Sequence, residues 1–560
     1  MLATWMIVGL GMGIGSPGQD LHPEAFNLLL NSAPVHVEEG QPSAPFWRVT
    51  EAGLEQPIAA FGPLVDGIVV RGRVSESATV IVRDSSGREF TREVQGDFSW
   101  AVGADAAATG VPLEPRLTLV LPVAPVDWSE LAVDVLLPAP DQATLAKLIR
   151  AELSNILGWW TTLGADPSGG THFAARTWNV DTGAPLNNMP GWYHVYADVL
   201  LGAAQFDPAW HSQAEGLLDD LLHLASHPQT GLPRKVFWDR DGPERYSDGP
   251  LEVSRQLAFF SAVADGELHA RPDQRKLAAE VLERAMGTLL VSAPQPDGSL
   301  AAKFTPSSGE AHPGASELRK LDLAAGFASW SRRTGNQAAR GVLEDCLAEF
   351  LYAHTWAGDW QHIDPGFDDL FGHYGARGLD LWRAFPDDLL FSRITRSGVE
   401  YFLPVWHECF ARGGNVAADQ VRCWELMGDA AELDPDLLKR VAPVLRVAAR
   451  AHFQGEQLDG GVWSDVTVIG FDPKPQVQDG TVGGLPQNLI MGLACLHDPQ
   501  LAKAGGMPLA EVRALFSAVL LNTREHYAAP YGYRTPGSLN SGASLRLAAG
   551  LVEMLGRLQP

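Results

Sequence analysis

Hydrophobic and polar positions change their period once along this chain, near residue 140. Before it, the stretches GIVVRGRV, ATVIVRD, REFTREV and DFSWAVG alternate apolar and polar residues. A period of two sends successive side chains to opposite faces of a strand, one buried and one wet. Asp84-Ser85-Ser86-Gly87 and Gln95-Gly96-Asp97 interrupt the alternation as turns, and LTLVLPV and LAVDVLLP continue it. The pattern predicts a small β-sandwich over 45–140. After residue 140, apolar residues recur at i, i+3, i+4 and i+7. Helices are predicted over 141–157, 188–204, 208–226, 249–264, 271–291, 316–334, 337–355, 367–384, 388–411, 415–430, 435–454, 484–496, 508–526 and 542–558.

The connections between these helices alternate in length. Those between 204 and 208, 334 and 337, 384 and 388, 411 and 415, and 430 and 435 are short. Those before 188, 249, 316, 367, 484 and 542 are mostly long and rich in Gly, Trp, Asp and Arg. A helix after a long connection carries small residues and polar groups suited to burial, as in GPLEVSRQLAFFSAVA and GASELRKLDLAAGFA. A helix after a short one is plainly amphipathic, as in AARGVLEDCLAEFLY. Hairpins recurring in this way mark a repeat architecture. The first helix has no predecessor, the last has no successor, and neither is a polar cap, so they are expected to pair and close a ring. The fold class is therefore mainly α: an (α/α)7 toroid of helical hairpins over 141–560, with an (α/α)6 barrel as the alternative, preceded by the small β-sandwich.

The N-terminal residues 1–20 contain an apolar run from Leu2 to Ile14, too short to span a bilayer. They read as an export signal segment, although no Lys or Arg precedes the run. Residues 21–44 read as a linker, and the expected location is secreted or periplasmic. No other run is long and apolar enough for a membrane span. A net charge of −25 argues against nucleic acid and anionic membranes as partners. Cys346, Cys409, Cys423 and Cys495 lie in apolar helical runs without metal spacing, and read as buried thiols.

In such a ring all the long loops emerge at one mouth, beside the N-termini of the inner helices, and the site is expected there. The stretch HIDPGFDDLFGHYGARG opens one inner helix. Asp364-Pro365 is a helix start, and Asp369, His373 and Arg377 follow at i, i+4 and i+8 with Tyr374 beside them. On an inner helix such a polar stripe faces the lumen or a buried partner, because burying it unpaired is costly. Other mouth segments add Asn188, Trp192 and His194, Trp238 and Arg255, Glu310, His312, Arg319 and Lys320, Trp463, Asn488 and Arg534. Singly, each is ordinarily a loop hydrogen bond or salt bridge. Together, flat aromatic faces and planar polar groups around one opening suit a polysaccharide or oligosaccharide. P-loop, GxSxG and HExxH motifs are absent from the sequence.

The β region resembles bacterial immunoglobulin-like modules attached to secreted enzymes. With Glu310-x-His312 on one mouth loop and HYGAR on the next inner helix, 141–560 resembles the (α/α)7-barrel polysaccharide lyases that cleave uronate polymers. The resemblance implies β-elimination, with Arg377, Asn188 and His312 neutralising the uronate carboxylate and Tyr374 and His373 as the acid–base pair. Trp192, His194, Trp238, Arg255, Glu310, Arg319, Asp369, Trp463, Asn488 and Arg534 would bind substrate. Acids outnumber bases in the mouth loops, which a polyuronate would not favour. A divalent cation such as calcium bridging acid and uronate would reconcile the two; otherwise no cofactor is expected. The acids also keep open an inverting glycoside hydrolase, with Asp364 or Asp369 paired with Glu252 or Asp479. A third alternative is a non-catalytic glycan-binding protein, which needs no acid–base pair.

Overall fold

The computed structural model describes residues 25–27, 29, 37–38, 41–42, 47–59, 68–84, 86–109, 116–123, 127–136, 139–162, 165–175, 177–179, 193–253, 256–297, 299–314, 317–351, 434–457, 461–469, 476–484, 486–526, 533–535, 538–540 and 542–559, with isolated positions between.

The β region contains β1 (Ala25–Asn27), β2 (Val37–Glu38), β3 (Gln41–Pro42), β4 (Arg48–Thr50), β5 (Gly53–Ala59), β6 (Ile68–Asp84), β7 (Glu89–Ala101), β8 (Arg116–Leu121) and β9 (Trp128–Leu136), with a short helix α1 (Val102–Ala108) after β7. GIVVRGRV and ATVIVRD, expected as separate strands, run together as β6. The register shifts between Val74 and Ala78, and residues 75–77 between them are exposed. Either side of this break, Ile68, Val70 and Val74 and then Ala78, Val80 and Val82 are buried, so the alternation survives it. The first half of β6 pairs with β9, the second half with β8, and β7 runs along both. Hydrogen bonding thus joins the strands into one seven-stranded antiparallel sheet, not two separate ones. The segment read as a linker contributes to it: β1 pairs with β9, and β2 and β3 form a small hairpin.

The rest is helical: α2 (Gln142–Thr162), α3 (Tyr193–Phe206), α4 (His211–His223), α5 (Gln256–Asp265), α6 (Pro272–Ser292), α7 (Glu317–Thr334), α8 (Gln337–Leu351), α9 (Pro435–Gly455), α10 (Pro486–Leu496), α11 (Pro499–Lys503), α12 (Leu509–His526) and α13 (Gly542–Leu558). Two burial patterns separate inner from outer helices. On α4, Ala214, Leu217, Leu218, Leu221 and Leu222 form a single buried stripe, as on an outer helix with solvent behind it. On α7, residues 322–328 are all buried, which only an element packed on both sides achieves.

Contacts give the order. The inner helices follow one another as α10, α13, α3, α5 and α7, while α4, α6 and α8 pack side by side outside them. The expected pairing of first and last helices is present, because α13 packs against α2 as well as against α3 and α10. Small residues bring these helices close. A Cβ on Gly550 would lie 2.9 Å from the Cα of Met491 on α10, and one on Gly202 of α3 would lie 2.7 Å from Val552 Cγ1. The chain between α8 and α9, with the helices expected over 367–384, 388–411 and 415–430, lies largely outside the described residues. Among the described residues no helix is long and apolar enough to cross a membrane.

At the short-loop end, Asp-Pro pairs start the helices. Asp207 accepts a bond from Ala209 N with Pro208 at the first turn, and Asp498 accepts from Gln500 N and Leu501 N with Pro499 in the same role. At the long-loop end, His172 braces the α2–α3 connection against α4. Its backbone N–H and its Nδ1 both bond Asp220 Oδ2, at 2.6 and 3.0 Å. That hydrogen bond raises the His172 pKa above the ordinary histidine value. A group raised on folding stabilises fully below its unfolded pKa, about 6.5, and loses the contribution as pH rises through the folded value. Asp220→Asn is therefore expected to flatten the pH dependence of the denaturation midpoint between about pH 6 and 8, by less than about 1 kcal/mol because the pair is half exposed. Equal slopes for both proteins would contradict this.

Candidate active site at the mouth of the ring

The long loops, read from the sequence only as rich in Gly, Trp, Asp and Arg, carry short strands: β10 (Thr177–Trp178), β11 (Lys235–Val236), β12 (Tyr246–Ser247), β13 (Leu251–Glu252), β14 (Lys303–Phe304), β15 (Glu456–Gln457), β16 (Gly461–Ile469), β17 (Gln476–Gly484), β18 (Tyr533–Thr535) and β19 (Ser538–Asn540). Some join different loops. β10, before α3, pairs with β19, before α13, and β13, before α5, pairs with β14, before α7. Adjacent mouth loops are thus laced together by backbone hydrogen bonds. This is why the helix expected from 249 begins at Gln256: Leu251 and Glu252 are committed to β13, opposite Phe304 and Lys303. The loops also share a device. Isolated bridges Ala165–Ala174, Ser226–Pro233 and Pro294–Leu300 close a tight turn just after α2, α4 and α6.

The α6–α7 loop is the best-defined wall of the mouth. Asp297 closes its first turn by accepting the N–H and hydroxyl of Ser299, at 3.0 and 2.7 Å. Those bonds, with the Lys320 charge nearby, hold the Asp297 carboxyl below the ordinary range. Gln295 donates its side-chain amide to the carbonyls of Ser292 and Ala293. The loop then folds back on itself. His312 N donates to Lys303 O at 2.8 Å, Thr305 N to Glu310 O at 2.9 Å, and Gly309 N to Thr305 O at 2.9 Å. Gly309 has φ +73, and a Cβ there would lie 2.3 Å from Thr288 Cγ2, so the hairpin tip lies flat on α6. The α4–α5 loop braces it from the side: Thr230 Oγ1 donates to Pro306 O, and Asp248 accepts both the N–H and the hydroxyl of Ser307.

This frame borders a cavity of about 480 Å³ lined by Asp297, Ser299, Ala301, His312, Gly314 and Lys320 among others. Its size is within the range of small-molecule sites. His312 is half-buried, with Thr305 Oγ1 2.8 Å from its Nε2. Among the described residues its Nδ1 has no hydrogen bond.

The other expected site residues fall into three groups. Glu310 is exposed at the hairpin tip and is not among the residues lining the cavity. Trp238 is 8% exposed within the apolar core, so its ring faces are covered by protein instead of offering an open stacking surface. His194, Arg319 and Asn488 lie in the first turns of the inner helices α3, α7 and α10, and Trp463 and Arg534 lie on β16 and β18. Asn188, Trp192, Arg255, Asp369, His373, Tyr374 and Arg377 lie outside the described residues, as does Asp364. Thr305, which the sequence did not single out, is tied by its side chain to the candidate His312. Its link to His312 depends on the hairpin folding back, which no spacing rule encodes. Among the described residues no group of three or more His, Cys, Asp or Glu is placed to hold a metal ion. Cys495 is buried and forms no disulfide.

No family model matches the sequence, and no curated protein matches it. Solved structures do. A cellobiose 2-epimerase from Bacillus thermoamylovorans is 14% identical, with TM-score 0.41, over 68% of this chain and 100% of that one. A sugar epimerase from a ruminal bacterium is 13% identical, with TM-score 0.42, over 68% of this chain and 99% of that one. A family 76 glycoside hydrolase from a bovine Bacteroides thetaiotaomicron strain is 11% identical, with TM-score 0.33, over 87% and 99%. Superpositions this loose transfer neither substrate nor residue roles.

Proposed function

We propose that this chain is a carbohydrate-active enzyme whose reaction centre lies at the mouth of the helical ring, and that it is a polysaccharide lyase acting on a uronic-acid-containing glycan. The observation that carries the reading is the cavity beside α7, with His312 and Lys320 on its wall. A neutral glycan needs no cation. A uronate does, because its carboxylate must be neutralised before the C5 proton can be removed. In β-elimination a base takes that proton, the electron pair forms the C4–C5 double bond, and the C4–O bond breaks, its oxygen leaving with a proton from an acid. In this reading Tyr374 and His373 serve as acid and base, and Arg377, Asn188 and His312 neutralise the carboxylate.

The test is incubation with glucuronan, alginate and pectate, following the ultraviolet absorbance of the unsaturated uronate product. Its release is the expected result. New reducing ends without that absorbance would replace the lyase by a hydrolase, for which the exposed Glu252 is a carboxylate at the same mouth. Saccharide binding without turnover would leave a glycan-binding protein. Tyr374→Phe is expected to lower turnover by about 100-fold or more, with the circular dichroism spectrum unchanged. Unaltered turnover would remove Tyr374 from the site.

A further inference from the structure

The α4–α5 loop carries cations at Arg234, Lys235, Arg240 and Arg245. The first three have ordinary settings. Arg234 donates to the carbonyls of Leu224 and His223 at the end of α4, and lies 3.7 Å over the Tyr246 ring. Lys235 is exposed. Arg240 is exposed too, 4.2 Å over the Phe237 ring and 3.9 Å from Asp239. Arg245 differs. It is half-buried, and among the described residues its guanidinium makes no hydrogen bond or ion pair. Taking a guanidinium partly out of water with nothing to accept from it costs free energy. A ligand that supplied the acceptor would recover that cost.

The backbone holds Arg245 in place. Phe237 N donates to Arg245 O at 2.8 Å, and the next two residues form β12 against β11. The side chain reaches the α2–α3 loop, where a Cβ on Gly170 would lie 3.8 Å from Arg245 Nη2. Glycine brings no side chain to this contact. Ser168, Gly169 and Gly170 are exposed, so the seam between the two loops is open to solvent. Asp166 lies behind Gly170 but forms no ion pair with the arginine. It is 5% exposed and accepts from Ser168 N, Ser168 Oγ and Thr171 Oγ1 at 2.8, 2.7 and 2.8 Å. A planar guanidinium with free N–H groups takes a carboxylate through two parallel bonds. A dianion such as phosphate suits the place less well, because Asp239, Asp241, Glu244 and Asp248 share the loop. We infer that Arg245 is a specificity-determining residue, binding a sugar carboxylate of the substrate in the seam between the α2–α3 and α4–α5 loops. Every unit of a uronate polymer carries a carboxylate, so this subsite is additional to the place where the reacting carboxylate is neutralised. The inference rests on the carbohydrate reading above and adds a recognition group to it.

Short oligosaccharides of glucuronan, alginate and pectate, each beside its counterpart with the carboxyls reduced to alcohols, are the probes, with binding to the full chain measured by calorimetry. At least one acidic oligosaccharide is expected to bind about tenfold or more tightly than its reduced counterpart, the size of a charge-assisted hydrogen bond. Arg245→Gln should remove about tenfold from binding of that acidic ligand and leave the reduced one unchanged. Arg245→Lys, which keeps the charge and loses the planar fork, should fall between the two. The denaturant midpoint of Arg245→Gln should match that of the unaltered protein, because the guanidinium holds no part of the fold. Equal binding of acidic and reduced ligands, or an unchanged preference in Arg245→Gln, would overturn the subsite. So would a lowered midpoint with loss of both ligands, which would make Arg245 a structural residue. The two readings fail separately. Acidic ligand held through Arg245 without unsaturated product removes the lyase and keeps the subsite. Unsaturated product formed by Arg245→Gln with unaltered KM removes the subsite and keeps the lyase.

Discussion

The Gly550→Val variant is expected to lose about 2–3 kcal/mol of stability, read as a lower denaturant midpoint. Position 550 is where α13 crosses α10, and a Cβ there already approaches Met491 Cα to 2.9 Å and Met491 N to 3.0 Å. Those atoms belong to a helix backbone and cannot swing aside as a side chain would. The branches of a valine would push α13 outward, and with it the contact that α13 makes to α2 and α3. Gly287, on the outer helix α6, has open space where a Cβ would go. Gly287→Ala is thus the matched control, expected to gain up to about 1 kcal/mol from helix propensity. If both substitutions stabilise, the close approach at the ring closure is not what holds α13 in place.

Acid should unfasten the same corner. His497 is 3% exposed, in the turn between α10 and α11. Burial lowers its pKa to about 4, and the nearby Arg513 and Arg557 add to the effect. Arg513 Nη1 lies 3.5 Å from His497 Nε2, and Arg557 reaches Asp498 at the same distance. The sign follows from the lowered value. The unfolded histidine takes up its proton near pH 6.5 and the folded one only near 4, so stability is complete above about 6.5 and falls as pH drops toward 4. The full shift corresponds to at most about 3 kcal/mol. His497→Gln should lose that part of the acid dependence, seen by comparing denaturant midpoints of the two proteins between about pH 7 and 4. Parallel curves would show that His497 is not the group being charged.

The helices were legible because burial imposes the helical period on the sequence itself. Their alternation between inner and outer was also legible, since α5 and α7 carry apolar and small residues on nearly every side while α4 carries one stripe. Ring closure followed from two unmatched ends. The mouth was less legible. A two-residue strand such as β10 or β13 has no period to detect, and its partner lies in another loop: Thr177 meets Asn540, adjacent in the ring but far away in sequence. The length of β6 was hidden because residues 75–77 look like a turn and act as an irregularity within one strand. At the site, His312 could be named from residue type, but Thr305 could be joined to it only by the fold. Trp238 is the converse case: residue type suggested a sugar platform, and the fold buries the ring to 8% exposure.

The packing of α2 against α13 has a consequence for how the chain reaches this state. Neighbouring hairpins such as α3–α4 and α5–α6 find their contacts locally and can form as they emerge. Helix α2 cannot, because the face it turns to α13 stays uncovered until α13 itself has been made. Loop-closure entropy rises only slowly with length, so the long wait adds little to the equilibrium cost of joining the ends. The burden is kinetic: an almost complete ring with apolar edges at both ends is the species most exposed to aggregation, and closing it is the step that retires the hazard.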